Sequence, residues 1–268
     1  MTYAERPAGM PGVVLWQQVA DRAAARRTRI MPDGCLDLIW DGRRLSVAGP
    51  DSAARCHESP PGSVYTALRL AGGTGPALLG VPADELRDRM PDLVDLWPAA
   101  PARRLAERVA SDPAGALAAW AAERSAESTA DPLGPPVLAW SRAGTPADVM
   151  ADRLGIGVRQ LHRRCLPVFG YGPRRLTRIL RLGPALDLLR AGVPFARVAA
   201  DCGYADQAHL SREVRDLTGL SPRELVAEAL LARAPAAEAS AGPGGSGQAV
   251  GSGANRSTGV PSGSRTTA

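Results

Sequence analysis

One stretch of this chain occurs twice in related form, and the repeat limits the folds that the second half can adopt. The first copy is ADRLGIGVRQLHRRCLPVFGYG at residues 151–172, and the second is AADCGYADQAHLSREVRDLTGLS at residues 199–221. Aligning Leu161 with Leu210 also aligns Arg163 with Arg212, Cys165 with Val214, Gly170 with Gly219, and Pro173 with Pro222. Spacing that recurs in this way predicts one supersecondary unit that is built twice.

Each copy has the pattern of two short helices joined by a tight turn. Gly155 and Gly203 are suited to the left-handed backbone conformation that such a turn requires. In the first copy, Thr145, Pro146 and Asp148 fit the N-cap, N1 and N3 positions of a capping box, which predicts the start of the first helix. The unit is therefore predicted to be a helix-turn-helix, a motif used to bind DNA.

The second helix of the first copy has an apolar side and a basic side. Val158, Leu161, Cys165 and Val168 recur at helical spacing, which predicts the side that is buried. Residues 173–190 predict a linking helix that joins the two copies. The chain is therefore expected to carry two reading helices on one rigid body.

Three prolines mark particular places in the predicted helices. Pro222 follows Ser221 and precedes Glu224, an arrangement that fits a capping box. Pro167 and Pro184 instead fall inside helices, where proline removes a backbone hydrogen bond. We expect a kink near each, and a kink at Pro184 would change the angle between the two copies.

Positive charge is concentrated in the half that holds the repeat. Residues 1–134 contain 15 Arg and 17 acidic residues, a net charge of −2, whereas residues 145–230 contain 13 Arg and 9 acidic residues, a net charge of +4. From Arg153 to Leu186 there are eight Arg and no acidic residue. A phosphate backbone would attract such a run. A solvated helical face is the alternative interpretation.

The cysteines indicate a reduced, cytoplasmic protein. Cys35, Cys56, Cys165 and Cys202 lie far apart and form no CxxC pair. The start of the chain lacks a secretory apolar segment, and no apolar run approaches the roughly 18 to 20 residues of a membrane span. We expect Cys165 and Cys202 to be small core residues.

The first half is predicted to be α+β. Short apolar runs separated by turn residues predict strands at 35–40, 45–48 and 64–70. Helical spacing follows, which predicts helices at 82–90, 102–110 and 113–123. The Arg-rich and Ala-rich segment before residue 30 is expected to be a short helix or an entry loop.

Chain-breaking residues divide the protein into two domains and a tail. Within Asp131 to Pro136, DPLGPP, no helix or strand is expected to continue. We predict an α+β sensing or dimerisation domain at 1–134 and an all-α, homeodomain-like double helix-turn-helix domain at 135–232. Residues 233–268 are rich in Gly, Ser and Ala, which predicts a disordered tail.

The chain resembles the AraC family of transcription regulators from about Val137 to Ala229. The most specific matches are RLxxAxxLL at 181–189, GYADQAHLSR at 203–212 and GLSP at 219–222. The first half also resembles one found in AraC-type proteins, through MPDGCLDLIW at 31–40 and VAGPD at 47–51. The resemblance implies two helix-turn-helix units joined by one long helix. The first half then occupies the position of a sensing or dimerising domain, with no assigned ligand.

The resemblance also implies which side chains face DNA. The expected base contacts are Arg159, His162, Arg163, Gln207, Ala208, Ser211 and Arg212. The expected phosphate contacts are Arg164, Arg174, Arg175 and Arg178. Chemically, Arg163 and Arg212 suit guanine, Gln207 suits adenine, and Ala208 suits a thymine methyl group. The alternatives are a structural role for any one of these arginines, and for His209 a packing or phosphate-binding role.

The implied partner is double-stranded DNA, with no catalytic residue, cofactor or metal. The resemblance leaves open a small-molecule effector at the N-terminal domain, a contact with RNA polymerase and a homodimer. It also leaves open the operator sequence and whether transcription is raised or lowered. Cys165 and Val214 stand where the family usually has Phe, which predicts lighter packing that Phe169 partly fills.

A thiol or metal site in the first domain is the rival class of function. Cys35, Asp37, Cys56 and His57 are residue types that serve a nucleophile or a zinc ion. Their spacing matches no metal motif, and the last two are adjacent. We therefore expect neither catalysis nor metal binding there.

A third hypothesis is that the first domain only dimerises or binds another protein. An effector needs a concave apolar cavity with a few polar groups. Trp40, Tyr65 and Trp97 are aromatic residues that either line such a cavity or fill the core. Core filling is the expectation for each of them singly.

Overall fold

The fold is described from a computed structural model of the chain, which covers residues 2–23 and 25–233. Most of the predicted tail, from residue 234 onward, lies outside the described residues, so its disorder stays a prediction. Within the described residues, the first half is α+β and the second half is all-α, which confirms the predicted fold class.

Seven strands lie in the described part of the first half. Five of them make one antiparallel sheet in the order β1-β2-β7-β4-β5, and β3 pairs with β6 in a separate two-stranded ladder. The predicted strands at 35–40, 45–48 and 64–70 are confirmed. The strands are β1 (Thr2–Pro7), β2 (Val13–Val19), β3 (Arg26–Ile30), β4 (Leu36–Trp40), β5 (Leu45–Ala48), β6 (Arg55–Ser59) and β7 (Val64–Leu70).

The expectation of a short helix or an entry loop before residue 30 is wrong. This segment contributes the end of β2 and all of β3 instead, because these strands find partners, β7 and β6, that are distant in sequence. In β2, Leu15 lies opposite Leu68 of β7, and Gln17 donates to the Thr66 hydroxyl over 3.2 Å. Pairing across the sheet therefore overrides the helical preference of the local composition.

Five helices follow the strands in the first half: α1 (Gly75–Leu79), α2 (Ala83–Leu86), α3 (Leu93–Leu96), α4 (Ala99–Ser111) and α5 (Pro113–Glu127). The predicted helices at 102–110 and 113–123 are confirmed, and both extend further than expected. The predicted helix at 82–90 is too long. After Leu86 the chain leaves the helix, and the carbonyls of Arg89 and Pro91 accept hydrogen bonds from Gly49 and Val47 at the edge of β5.

The main sheet buries one face and leaves the other for polar and aromatic side chains. Leu15, Leu38 and Leu68 are buried in a cluster that also contains Leu117 and Trp120 of α5. Because side chains alternate along a strand, their neighbours point to the opposite face. That face carries, among others, Trp16, Asp37, Tyr65 and Arg69.

Seven helices form the second half: α6 (Gly134–Arg142), α7 (Ala147–Arg153), α8 (Val158–Phe169), α9 (Pro173–Arg190), α10 (Phe195–Asp201), α11 (Gln207–Thr218) and α12 (Pro222–Arg233). Leu161, Leu182, Leu210 and other side chains from these helices share one buried core. Pro167 and Pro184 lie inside α8 and α9, and both helices continue past them.

Two predictions of helix starts are wrong. Helix α6 begins at Gly134, inside the 131–136 cluster, because Pro135 and Pro136 occupy the first turn, where proline's missing N–H is not needed. Pro146, and not Thr145, is the N-cap of α7. The Thr145 amide donates to the carbonyl of Trp140 in the preceding helix. The predicted capping box at Ser221 and Glu224 is confirmed by reciprocal hydrogen bonds of 2.7 and 3.3 Å.

The first half contacts the ends of both predicted reading helices. Arg87, just after α2, donates to the carbonyl of Gly170 at the end of α8 over 2.9 Å. The amide of Ala54 donates to the carbonyl of Leu217 near the end of α11 over 2.7 Å. Both contacts lie at the C-terminal ends of these helices, so the opposite ends remain open to solvent.

Candidate nucleic-acid interface

The two repeat copies adopt equivalent local structures. Helices α8 and α11 each have 12 residues, and each ends at a glycine with left-handed backbone, Gly170 at φ 82° and Gly219 at φ 75°. The turns before them contain Gly155 at φ 64° and Gly203 at φ 71°. The recurring spacing therefore reflects a helix-turn-helix unit that is built twice, as the sequence predicts.

The buried side of α8 is nearly as predicted. Leu161 and Cys165 are fully buried, and Val168 is 6% exposed. Val158 is 42% exposed, which corrects its assignment to the apolar side. It occupies the first helical position, directly after the N-cap Gly157, and so lies beyond the edge of the core.

Cys165 and Val214 occupy equivalent core positions in the two units. Both are fully buried, so the small side chains are enclosed and do not border solvent. Phe169 is also fully buried in the same core, in agreement with its predicted role as filler. Its ring also lies close to Gly72 and Gly73 of the first half, so it packs where the two halves meet.

Three of the predicted base-contacting arginines are free to meet DNA. Arg159 and Arg163 of α8 and Arg212 of α11 are exposed, and no hydrogen bond or ion pair with another described residue holds their guanidinium groups. Arg163 and Arg212 occupy the same offset in their helices. The structure therefore presents matched cations on the two readers.

The other predicted base contacts of α11 lie in its first two turns. Gln207 and Ala208 are exposed, and the Ser211 hydroxyl donates to the Gln207 carbonyl over 2.9 Å. The carboxylate of Asp206 caps this end by accepting from the His209 amide over 2.6 Å. This cap fixes the direction in which the first turn presents its side chains.

His162 differs from the other predicted base contacts. Its side chain is exposed, but its imidazole lies against Gly172, the N-cap of α9. A Cβ atom placed on Gly172 would lie 2.1 Å from His162 Nδ1. His162 therefore packs on the turn between α8 and α9, and only a glycine at position 172 allows this packing.

Three of the four predicted phosphate contacts already have partners in the chain. Arg164 pairs with Asp131 over 3.0 Å, and Arg175 donates to the carbonyl of Ser52. Arg178 of α9 contacts two carboxylates of α11, Glu213 and Asp216, each at 2.6 Å. Within the described residues, Arg174 is the one of the four that is exposed and has no partner.

The Tyr204 ring forms a small cluster that positions the second reader. The guanidinium of Arg181 lies 5.1 Å from the ring centroid and donates to the Gly203 carbonyl over 3.0 Å. The His209 ring lies 5.5 Å away from Tyr204, and its Nδ1 accepts from the Ala205 amide. His209 is thus a packing group, as expected. The composition of the motif gave no signal for the Arg181 contact.

The residues of the rival thiol or metal site are divided between two sheets, although Asp37 and His57 line the same cavity. Cys35 precedes β4 of the main sheet, whereas Cys56 and His57 lie in β6 of the separate ladder. Burial raises the pKa of the Cys35 thiol well above its ordinary value, with Asp33 adding to the shift, which disfavours a nucleophilic thiolate. Among the described residues no group of three or more potential ligands is placed to hold a metal ion.

Two family models match the chain. Residues 150–228 match the model described as "Helix-turn-helix domain", and residues 13–92 match "Domain of unknown function (DUF6597)". The first match covers both repeat units. No helix in the described part of the chain has the length and apolar character of a membrane span.

Curated relatives match the chain over part of its length. The HTH-type transcriptional activator RhaS of Escherichia fergusonii is 38% identical over 79 residues, which are 29% of this chain and 28% of that protein. RhaS of Escherichia coli O157:H7 is 34% identical over 79 residues, with the same coverage. The match therefore spans less than a third of the length of these relatives.

Solved structures show more distant likenesses. A probable AraC family transcriptional regulator from Rhodopseudomonas palustris is 24% identical, covers 37% of this chain and 98% of its own, and has a TM-score of 0.33. ToxT from Vibrio cholerae O395 is 9% identical, covers 81% of this chain and 98% of its own, and has a TM-score of 0.42.

The matched domain and the geometry described above agree. The two helix-turn-helix units and the linking helix lie within or close to the residues that match the helix-turn-helix model. Residues 150–228 therefore form an AraC-type helix-turn-helix domain, which follows a segment that matches a domain of unknown function.

Proposed function

We propose that the chain is a sequence-specific DNA-binding transcriptional regulator that inserts α8 and α11 into successive major-groove segments. The observation that carries this proposal is the pair of equivalent helices with open N-terminal ends and an unpaired arginine at the same offset, Arg163 and Arg212. The major groove admits a helix and shows each base pair as a distinct pattern of donors and acceptors. Two readers on one body then meet segments about 34 Å apart, one turn of duplex.

In this proposal, base reading is done by Arg159, Arg163, Gln207, Ala208, Ser211 and Arg212. Arg163 and Arg212 provide the fork that fits guanine O6 and N7, and Gln207 provides the donor and acceptor that fit adenine. His162 has a different part, because its packing against Gly172 positions the start of α9. It contacts DNA from the edge of the first reader.

Phosphate contact is assigned first to Arg174, which is exposed at the start of α9. Arg164, Arg175 and Arg178 are held by acceptors of the chain, so each must exchange a partner to reach a phosphate. In this proposal, these three arginines stabilise the positions of the reading helices through contacts within the chain. They contribute to DNA affinity less directly than Arg174.

The N-terminal domain is proposed to sense a small-molecule effector and to act on the readers through its contacts with α8 and α11. A contact with RNA polymerase, a homodimer and a cytoplasmic location fit a regulator and stay predictions. The domain limits at 1–134, 135–232 and 233–268 also stay predictions. The start of α6 at Gly134 supports the proposed limit between the first two domains.

The test is selection of bound sites from random DNA, followed by footprinting on a selected site. Two protected blocks one helical turn apart, on one face of the duplex, are expected for wild-type protein. Affinity is expected to fall steeply with salt concentration, because arginine contacts release counterions. A single protected block, or affinity that is independent of salt, would refute the two-reader mode.

A further inference from the structure

A cavity of about 160 Å³ lies between the two halves of the chain. One wall is the polar and aromatic face of the main sheet, with Trp16 and Tyr65. A second wall is the β3–β6 ladder, and a third is α9, which contributes Gly183 and Leu186. No residue of the predicted DNA-reading set lines this cavity, so it is separate from the interface described above.

The ring-bearing wall of the cavity follows from the strand register. Trp16 of β2 and Ile39 of β4 both lie opposite Ala67 of β7, and Tyr65 lies two residues before Ala67 on the same face. Tyr3 of β1 packs beside Trp16, with ring centroids 6.1 Å apart. Planar side chains therefore line this face, and a planar ligand can stack or pack edge-on against them.

The size of the cavity limits the ligand to a small molecule. An apolar cavity of roughly 150 Å³ in another protein holds one benzene molecule. At about 160 Å³, this cavity has room for one ring and a short substituent. Its opening to solvent gives a path for entry.

The polar groups in the walls include several that lack a hydrogen-bond partner. Ser59 is 1% exposed, and its hydroxyl has no hydrogen-bond partner among the described residues. The same holds for the Thr28 hydroxyl and for Nε and Nη1 of Arg69, although Nε is in ion-pair range of Asp37 at 3.5 Å and of Asp33 at 3.7 Å. Buried polar groups in native proteins are nearly always satisfied, so unpaired groups at a cavity point to a missing partner.

We propose that this cavity binds a monocyclic aromatic molecule that carries an oxygen acceptor, with the ring against Trp16 and Tyr65 and the oxygen toward Thr28, Ser59 and Arg69. The effect of such a ligand on DNA binding rests on the proposed regulatory function. Acids and amides both carry such an acceptor oxygen, so the experiment below decides whether the ligand is charged. Two carboxylates, Asp33 and Asp37, also line the cavity, but four arginines outnumber them, so the charge of the walls disfavours a cationic ligand.

Two features connect the cavity to the DNA readers. Gly183, in the wall, precedes Pro184 within α9, and these two residue types are the poorest helix formers, so the helix is most easily bent there. Arg29, in the wall, also donates to the carbonyl of Thr218 at the end of α11 over 3.3 Å. An occupant therefore touches both the linking helix and a residue that holds the second reader.

The binding test uses the full chain and three probes of similar shape: benzoate, benzamide and benzylamine. We expect benzoate or benzamide at millimolar concentration to raise the melting temperature and to give heat in calorimetry, because a ligand of the folded state stabilises it. Benzylamine is expected to do neither. Binding of benzylamine alone, or of none of the three, would overturn the proposal.

The location is tested with Gly183→Leu and its matched control Gly183→Ala. A Cβ atom on Gly183 meets no atom within 4 Å, so both variants are expected to fold, and only leucine is large enough to fill the cavity. Gly183→Leu should abolish the probe response, whereas Gly183→Ala should keep it. An unchanged response in Gly183→Leu would place the probe elsewhere and overturn the site.

The acceptor contact is tested with Thr28→Val and Ser59→Ala, which remove hydroxyls with little change of shape. Each is expected to weaken the responding probe by roughly fivefold, the effect of one hydrogen bond. Toluene, which has no acceptor, should bind wild type and variants equally. Equal weakening of toluene would show a packing defect and overturn the polar contact.

The regulatory part is tested by measuring DNA affinity with and without the probe. We expect at least a threefold change in wild type and none in Gly183→Leu. Probe binding without a change in DNA affinity would overturn the coupling and leave the proposed DNA-binding function intact. Probe binding by a chain that selects no DNA sequence would instead overturn the proposed function and leave the cavity assignment standing.

Discussion

The guanidinium of Arg87 donates to the carbonyl oxygen of Gly170 over 2.9 Å, and this bond joins the first half of the chain to the end of α8. A Cβ atom on Gly170 would lie 2.6 Å from Cγ of Pro50, so the two halves also meet closely at this point. Since the carbonyl at a helix end lacks an intrahelical partner, the arginine satisfies it.

Replacing Arg87 with alanine is expected to loosen this join. The side chain is exposed in part, so the expected loss of unfolding free energy is about 1 kcal/mol. Amide exchange at Gly170 and Tyr171 should become faster. Arg89→Ala is the matched control, because Arg89 donates to the Glu85 carbonyl of its own segment. Equal effects of the two substitutions would contradict a special role for Arg87.

Arg163 and Arg174 are expected to differ in how they support DNA binding. Arg163→Ala should weaken binding to a selected site by roughly 5- to 150-fold and relax the preference at one base pair, because it removes a base contact. Arg174→Ala should weaken binding to all sequences alike and reduce the salt dependence by about one charge. Competition binding with single-base variants of the site distinguishes the two. A uniform loss in Arg163→Ala would refute base reading.

Gly172 is expected to accept no side chain while His162 is present. Gly172→Ala places a Cβ atom against the imidazole, and the overpacking should cost roughly 1 to 3 kcal/mol. The double variant His162→Ala/Gly172→Ala removes the obstacle and should recover most of the loss in thermal melting. The backbone at Gly172 has φ −71°, which alanine adopts without strain, so a double variant as unstable as Gly172→Ala would contradict this explanation.

The cysteines are expected to react with thiol reagents at very different rates. Cys56 is exposed and should be labelled first in the native protein. Burial raises the pKa of Cys165 to about 12, and this fully buried thiol should stay unlabelled until the chain unfolds. Cys35 is partly exposed but has a raised pKa, so it should react more slowly than Cys56. Mass spectrometry after timed labelling measures the order, and a Cys56→Ser variant identifies the fast site. Early labelling of Cys165 would show that α8 opens in solution.

The same thiols predict how stability depends on pH. A raised folded-state pKa means that the unfolded chain loses its thiol protons first. The contribution of Cys35 and Cys165 to stability is therefore full below the unfolded pKa, about 8.5, and falls as pH rises toward the folded pKa. Melting temperatures between pH 8 and pH 11 should fall less in Cys165→Ala than in wild type. Parallel curves would contradict this assignment.

The sequence predicts the second half well because its signals are local. The glycine turns, the spacing of Leu161 and Leu210 and the capping box at Ser221 depend on neighbours a few residues away. The strands before residue 30 are missed for the opposite reason, since Trp16 and Arg29 join sheets through partners more than 20 residues away.

Sequence-based prediction of the candidate DNA interface is limited in the same way. Exposed arginines can be recognised from helical spacing, but the partners of Arg164 and Arg178 cannot. Asp131 and Glu213 are 33 and 35 residues away from them in the chain. Sequence spacing therefore separates buried from exposed positions, whereas the choice between phosphate contact and structural brace depends on tertiary contacts.

The bond from Ala54 to Leu217 complements the one from Arg87 to Gly170, because each holds the end of one reader on the same folded half. The entropy of aligning the two helices is then lost during folding and not when DNA binds, which raises the effective concentration of the second reader once the first has docked. If both helices read DNA as proposed, this arrangement is expected to make the protein intolerant of altered operator spacing. One inserted base pair turns the far half-site by about a tenth of a helical turn, and a rigid pair of readers cannot follow it.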